Sequence, residues 1–89
     1  MTKQEFEGLI KSGVIAGVSI SDRRKYGEGF ELYGYGYWDD DPASSALEEI
    51  GNCVTTENGE RLIWPEIQLL LDYIISTGWL HRIEIDVIH

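Results

Sequence analysis

The run from Arg61 to Trp79, RLIWPEIQLLLDYIISTGW, constrains the fold more than any other stretch of this chain. Ile67, Leu70, Leu71 and Ile74 recur at the spacing of one helical face. Leu69, Tyr73 and Ile75 widen that face, which predicts a helix buried on more than one side. Pro65 suits the first helical position, where a missing N–H loses no intrahelical bond. Glu66 in the first turn complements the positive end of the helix dipole, and Gly78 suits a left-handed stop. Glu66, Gln68 and Asp72 interrupt the run, so it is too short and too polar to span a membrane. The dipeptide Asn58-Gly59 precedes it, and both positions accept positive φ in a tight hairpin.

The rest of the chain reads as short elements around that helix. Thr2 and Glu5 form a capping box, and Phe6, Leu9 and Ile10 follow as a short amphipathic helix ended by Gly13. Val14 to Asp22 alternates as a strand, with Val14, Ala16, Val18 and Ile20 on the apolar face. Arg23, Arg24 and Lys25 with Gly27 and Gly29 make a solvated turn. In the next strand, Phe30 to Asp39, Phe30, Leu32, Gly34, Gly36 and Trp38 share one face. Glu31, Tyr33, Tyr35, Tyr37 and Asp39 share the other. Gly34 and Gly36 leave room for a helix to sit close on the sheet, which turns the tyrosines outward. Asp39 to Glu49 is an acidic loop with a short helix at Ala43, Ala46, Leu47 and Ile50. Cys53 to Glu57 and Glu60 to Trp64 pair as a hairpin, and Arg82 to Ile88 is the last strand. These elements predict an α+β fold. It is a two-layer sandwich of a four- or five-stranded, mostly antiparallel sheet with two main helices on one face. The last strand returns beside the first. At 89 residues this is a single domain over residues 1–89 with a modest core.

Charge decides which function classes remain. The net charge is −9. Nine acids, and neither Lys nor Arg, lie between Tyr26 and Glu60: Glu28, Glu31, Asp39, Asp40, Asp41, Glu48, Glu49, Glu57 and Glu60. Seven acids and seven bases balance elsewhere. The excess argues against direct nucleic-acid binding, which needs cations to displace counterions, and against anionic membranes. It suits a basic protein partner. Tyrosines on the same segment add rigid apolar anchors with polar tips. The same acids also serve solubility.

Catalytic chemistry finds little to stand on. The triple aspartate lacks the spacing of a calcium loop, and no motif calls for a metal or cofactor. Cys53 is the lone cysteine, with no base placed beside it, and reads as a buried thiol. His81 sits at a loop-to-strand junction, and His89 is terminal. A non-enzyme in the cytoplasm, without a secretory leader, is the expectation.

VTTENGERLI from Val54 to Ile63, the helix from Ile67 to Gly78, RIEIDV from Arg82 to Val87, and the helix and strand from Phe6 to Ser21 together carry a likeness. In their order they resemble the ParC-like, partition-associated small proteins of plasmids. Tyr37 to Ile50 departs from that pattern as an acidic insertion. The resemblance implies a mobile-element origin and brings no catalytic residue with it. By analogy of class with anti-CRISPR and DNA-mimic proteins, the expected function is inhibition of a basic, nucleic-acid-handling host complex. Glu31, Tyr33, Tyr35, Tyr37, Asp39, Asp40, Asp41, Glu48 and Glu49 are the expected contacts. A partition accessory protein and an immunity protein for a basic toxin are the alternatives, and a tyrosine face also suits a homodimer.

Overall fold

The computed structural model describes residues 1–36 and 53–87 and the backbone of 48–49. Helix α1 spans Lys3–Lys11, and the Thr2–Glu5 capping box forms as the sequence predicts. Gly13, with φ 79°, reverses the chain, and the Val14 N–H donates to the Leu9 carbonyl at 3.0 Å. Strand β1 spans Ile15–Asp22 and β2 spans Phe30–Gly36. The two pair antiparallel, joined by a single 3-10 turn, Arg24–Tyr26, and Gly27 at φ 74°. β3 is the two-residue rung Glu48–Glu49. Helix α2 spans Ile67–Ser76, and β4, Ile83–Val87, pairs parallel to β1. The order is β3-β2-β1-β4.

This corrects the expected sheet. Three full strands make it, and one of the two main pairings is parallel; it is not a four- or five-stranded, mostly antiparallel sheet. The difference lies in residues 53–64, which the sequence pairs as two strands. Their backbone groups are divided among several neighbours. The Thr55 N–H donates to the Met1 carbonyl, Val54 N–H to the Leu32 carbonyl, and Trp64 and Phe30 exchange both bonds. Only isolated bridges result. Together with β3, this segment occupies the outer edge of β2 by pieces. The turn itself differs as well: Gly59 has φ 84°, but Asn58 does not adopt positive φ. Thr56 accepts from Gly59 and donates to Glu60, the pattern of a three-residue loop with a left-handed glycine.

One apolar core lies between the sheet and both helices. Phe6 of α1 and Leu70 and Ile74 of α2 meet Val18, Ile20, Phe30 and Leu32, with Val54, Trp64 and Trp79 closing the ends. Gly34 leaves room for two side chains, since a Cβ there would lie 2.6 Å from the Ile15 Cδ1 of β1 and 3.1 Å from the Met1 Cε; the Phe6 ring of α1, at 3.4 Å, would be in ordinary contact. Three details of the sequence reading change. A register shift between Ile15 and Gly17 inverts the alternation at the start of β1. Ile15 is therefore buried while Val14 and Ala16 are exposed. Pro65 stands before α2 and Glu66 is its N-cap, because Trp64 is locked in extended pairing with Phe30. Finally, α2 is narrower than expected on its buried side, with Leu69 and Ile75 open to solvent.

Candidate functional site

The sheet's second face carries no helix among the described residues. By register, its rows run Tyr33–Ser19–Glu84 and Glu31–Ser21–Asp86, with Tyr35 beside Gly17. Strand alternation sends these side chains away from the helix layer. Tyr33 and Tyr35 therefore point outward, as their spacing predicts, but both are half-buried. Glu84 and Asp86 are exposed, and the Ser19 hydroxyl donates to Asp86 at 3.1 Å. An open hollow of about 270 Å³ is lined by Ala16, Gly17, Val18, Tyr35, Arg82 and Glu84. Its lining combines the Tyr35 ring with the Glu84 carboxylate and the Arg82 side chain.

At the end of this face beside the 55–61 turn, the acids are already paired. Glu31 is 1% exposed. Arg61 donates to its Oε1, Arg23 Nε lies 2.9 Å from the same oxygen, and the Tyr33 hydroxyl donates to its Oε2 at 2.7 Å. Glu28 joins the group, 2.8 Å from Arg61 and 3.5 Å from Arg23. The geometry at Arg23 Nε and Glu28 Oε2 is that of ion pairing without an aligned hydrogen bond. Glu31 is thus corrected as a partner contact: it is the buried centre of a two-acid, two-base cluster. Its bases come from just outside the acidic segment.

The surroundings set the titration of this end. The Arg61 guanidinium, 2.8 Å away, holds the Glu28 carboxyl below its ordinary range. The Arg24 side chain and backbone N–H do the same for Asp22, against the opposing effect of burial. Burial pushes the Cys53 thiol up, and the nearby Glu31 charge adds to the shift. Thiolate is therefore scarce at neutral pH, which disfavours nucleophilic use of this cysteine. Both carboxyls titrate lower in the folded chain than in the unfolded one. Their stabilisation is complete above the unfolded values of about 4 and is lost as pH falls through the lowered ones. The urea midpoint should accordingly drop between about pH 6 and about pH 3. An unchanged midpoint would mean that these pairs contribute nothing.

The remaining expected contacts divide. Glu49 stands opposite Tyr35 and Glu48 opposite Gly36 in the β3 rung, where the sequence suggests a loop or helix end. Tyr37, Asp39, Asp40 and Asp41 lie outside the described residues, as does the short helix expected near Ala43. Conversely, Glu84 and Asp86 are site residues that the charge count misses, because it places them in the balanced remainder of the chain. The signal was present in their alternation with Ile83, Ile85 and Val87. The parallel pairing of β4 with β1 brings Glu84 into the Tyr33 row and Asp86 into the Glu31 row. His81 is exposed and packs edge-on against Trp79, with ring centroids 5.1 Å apart. Among the described residues no group of acids, histidines and cysteine is placed to hold a metal ion. No described helix is long and apolar enough to cross a membrane. Comparison with protein-family models, curated proteins and solved structures finds no match for the chain.

Proposed function

We propose that this chain is a non-enzymatic binding protein that occupies a basic, nucleic-acid-handling protein surface in the cytoplasm of its host, as a DNA mimic or an anti-CRISPR protein does. The observation that carries this reading is the outer face of the sheet, which no described helix covers and where exposed Glu84 shares a row with Tyr33 and exposed Asp86 lies in the next row. Carboxylates spaced along a rigid sheet present negative charge as phosphates do, and tyrosine rings supply contact area at small entropic cost. Among the described residues, exposed Glu57 and Glu60 add the same sign of charge. Complementary charge of this kind speeds encounter and excludes acidic competitors.

The test is capture on the immobilised chain followed by elution with duplex DNA. A basic nucleic-acid-handling protein should be retained from host extract and released by DNA, because both ligands claim one cationic surface. Tyr35→Ala should reduce retention about tenfold, the loss of one buried aromatic anchor. Retention that DNA does not reverse, or that Tyr35→Ala leaves unchanged, would contradict the reading.

A further inference from the structure

We infer that the outer edge of β4 is a docking site for an extended, basic segment of a partner protein, which adds to the sheet as its next strand. Among the described residues β4 pairs on one side only, with β1. Among the described residues its backbone groups on the other side form an open row, which folded proteins normally cover or blunt. The helices pack on β1 and β2. Ile83 packs against the core, but Ile85 and Val87 are 48% and 52% exposed although they share the face of buried Val18 and Ile20. The edge therefore offers backbone donors and acceptors, an apolar row on one face and the Glu84–Asp86 carboxylates on the other.

Charge selects the occupant. A second copy pairing antiparallel along the whole of β4 would set Glu84 opposite Asp86 and Asp86 opposite Glu84. Like charges directly opposite destabilise a ladder. A strand that alternates lysine or arginine with aliphatic residues meets both rows at once, its cations on the carboxylates and its aliphatics on Ile85 and Val87. Backbone bonds then supply affinity and the alternate side chains supply specificity. Arg82, at the entry to β4, limits this basic preference to the Glu84–Asp86 part of the edge. The inference rests on the proposed function for the kind of protein that carries the segment; the open edge and its two rows stand without it.

The probe is a short peptide alternating lysine and valine. Controls are the same composition in blocks, an alternating glutamate–valine peptide, and the lysine–valine peptide N-methylated at its valines. Amide exchange of Ile83–Val87, read by NMR, should slow about tenfold with the alternating basic peptide. The acidic, blocked and N-methylated peptides should leave it unchanged. Glu84→Lys with Asp86→Lys, both at exposed positions, should reverse the preference toward the glutamate peptide. Equal binding of the N-methylated peptide, no protection of β4, or a dimer with protected β4 in the absence of peptide would each overturn the inference. If β4 stays unprotected while DNA still releases a captured basic protein, the edge site fails and the proposed function stands. If the peptide protects β4 but no such protein is captured, the reverse holds.

Discussion

Glu31→Ala is expected to destabilise the fold by about 3 kcal/mol, the scale of removing one member of a buried charged group. Glu31 is 1% exposed and receives Arg23, Arg61 and the Tyr33 hydroxyl. Its removal leaves two guanidinium groups sharing one carboxylate, that of Glu28, and takes the Glu31 acceptor away from the Tyr33 hydroxyl. Both arginines are partly exposed and recover some hydration, which keeps the effect at the lower end of the range for such pairs. The cluster ties the β1–β2 turn to the 55–61 turn, so the loss should also lower the cooperativity of unfolding at this end. A urea titration reads both. A change below about 0.5 kcal/mol, the range of ordinary surface substitutions, would return Glu31 to the list of free surface acids.

Gly29→Ala is expected to be as damaging, at about 3 kcal/mol or more. A Cβ at Gly29 would overlap the Trp64 carbonyl oxygen and lie 2.9 Å from its carbon. Both belong to backbone, which cannot swing aside as a side chain does. The neighbouring Phe30–Trp64 pair exchanges bonds of 2.8 and 2.9 Å and holds the chain at the entry to α2. Relief of the clash must loosen that pair and so the docking of α2. Gly8→Ala is the internal contrast. It lies within α1, and a Cβ there meets nothing within 4 Å. The same chemical change at Gly8 should therefore stabilise by about 0.5–1 kcal/mol through helix propensity. Equal effects at the two glycines would contradict the close approach of residues 29 and 64.

Much of the fold was legible because its signals are local. The Thr2–Glu5 box, the stop at Gly13, the Gly78 turn and the alternation of Phe30 to Gly36 each depend on residues close in sequence, and each formed. Crowding at Gly34 was legible only in part: the glycine suggests close approach of a helix, but the tight neighbours are Ile15 of β1 and Met1. What failed depends on distant partners. Residues 53–64 look like a hairpin, but Met1, Leu32 and Phe30 compete for their backbone groups, and no local pattern reports that competition. The shift between Ile15 and Gly17 is equally silent, because a bulge moves every side chain before it without altering the sequence pattern. The candidate site divides along the same line. Outward tyrosines follow from a period of two. Burial of Glu31 follows from Arg61, thirty residues away in the chain; β4 lies beside β1 as the order of elements predicts, but the rows that Glu84 and Asp86 join follow from the register.

Location, rather than total charge, is the central claim, and a matched pair of charge reversals separates the two. Glu84→Lys with Asp86→Lys alters the outer face and edge of the sheet. Glu66→Lys with Asp72→Lys makes the same change in net charge at exposed positions of the helix layer. Capture of a DNA-displaceable basic protein should fall at least about tenfold for the sheet variant, the scale of removing central interface contacts. It should remain near the native level for the helix variant. Equal losses would mean that bulk acidity alone drives the association, and the outer face of the sheet would then have no claim to be the site.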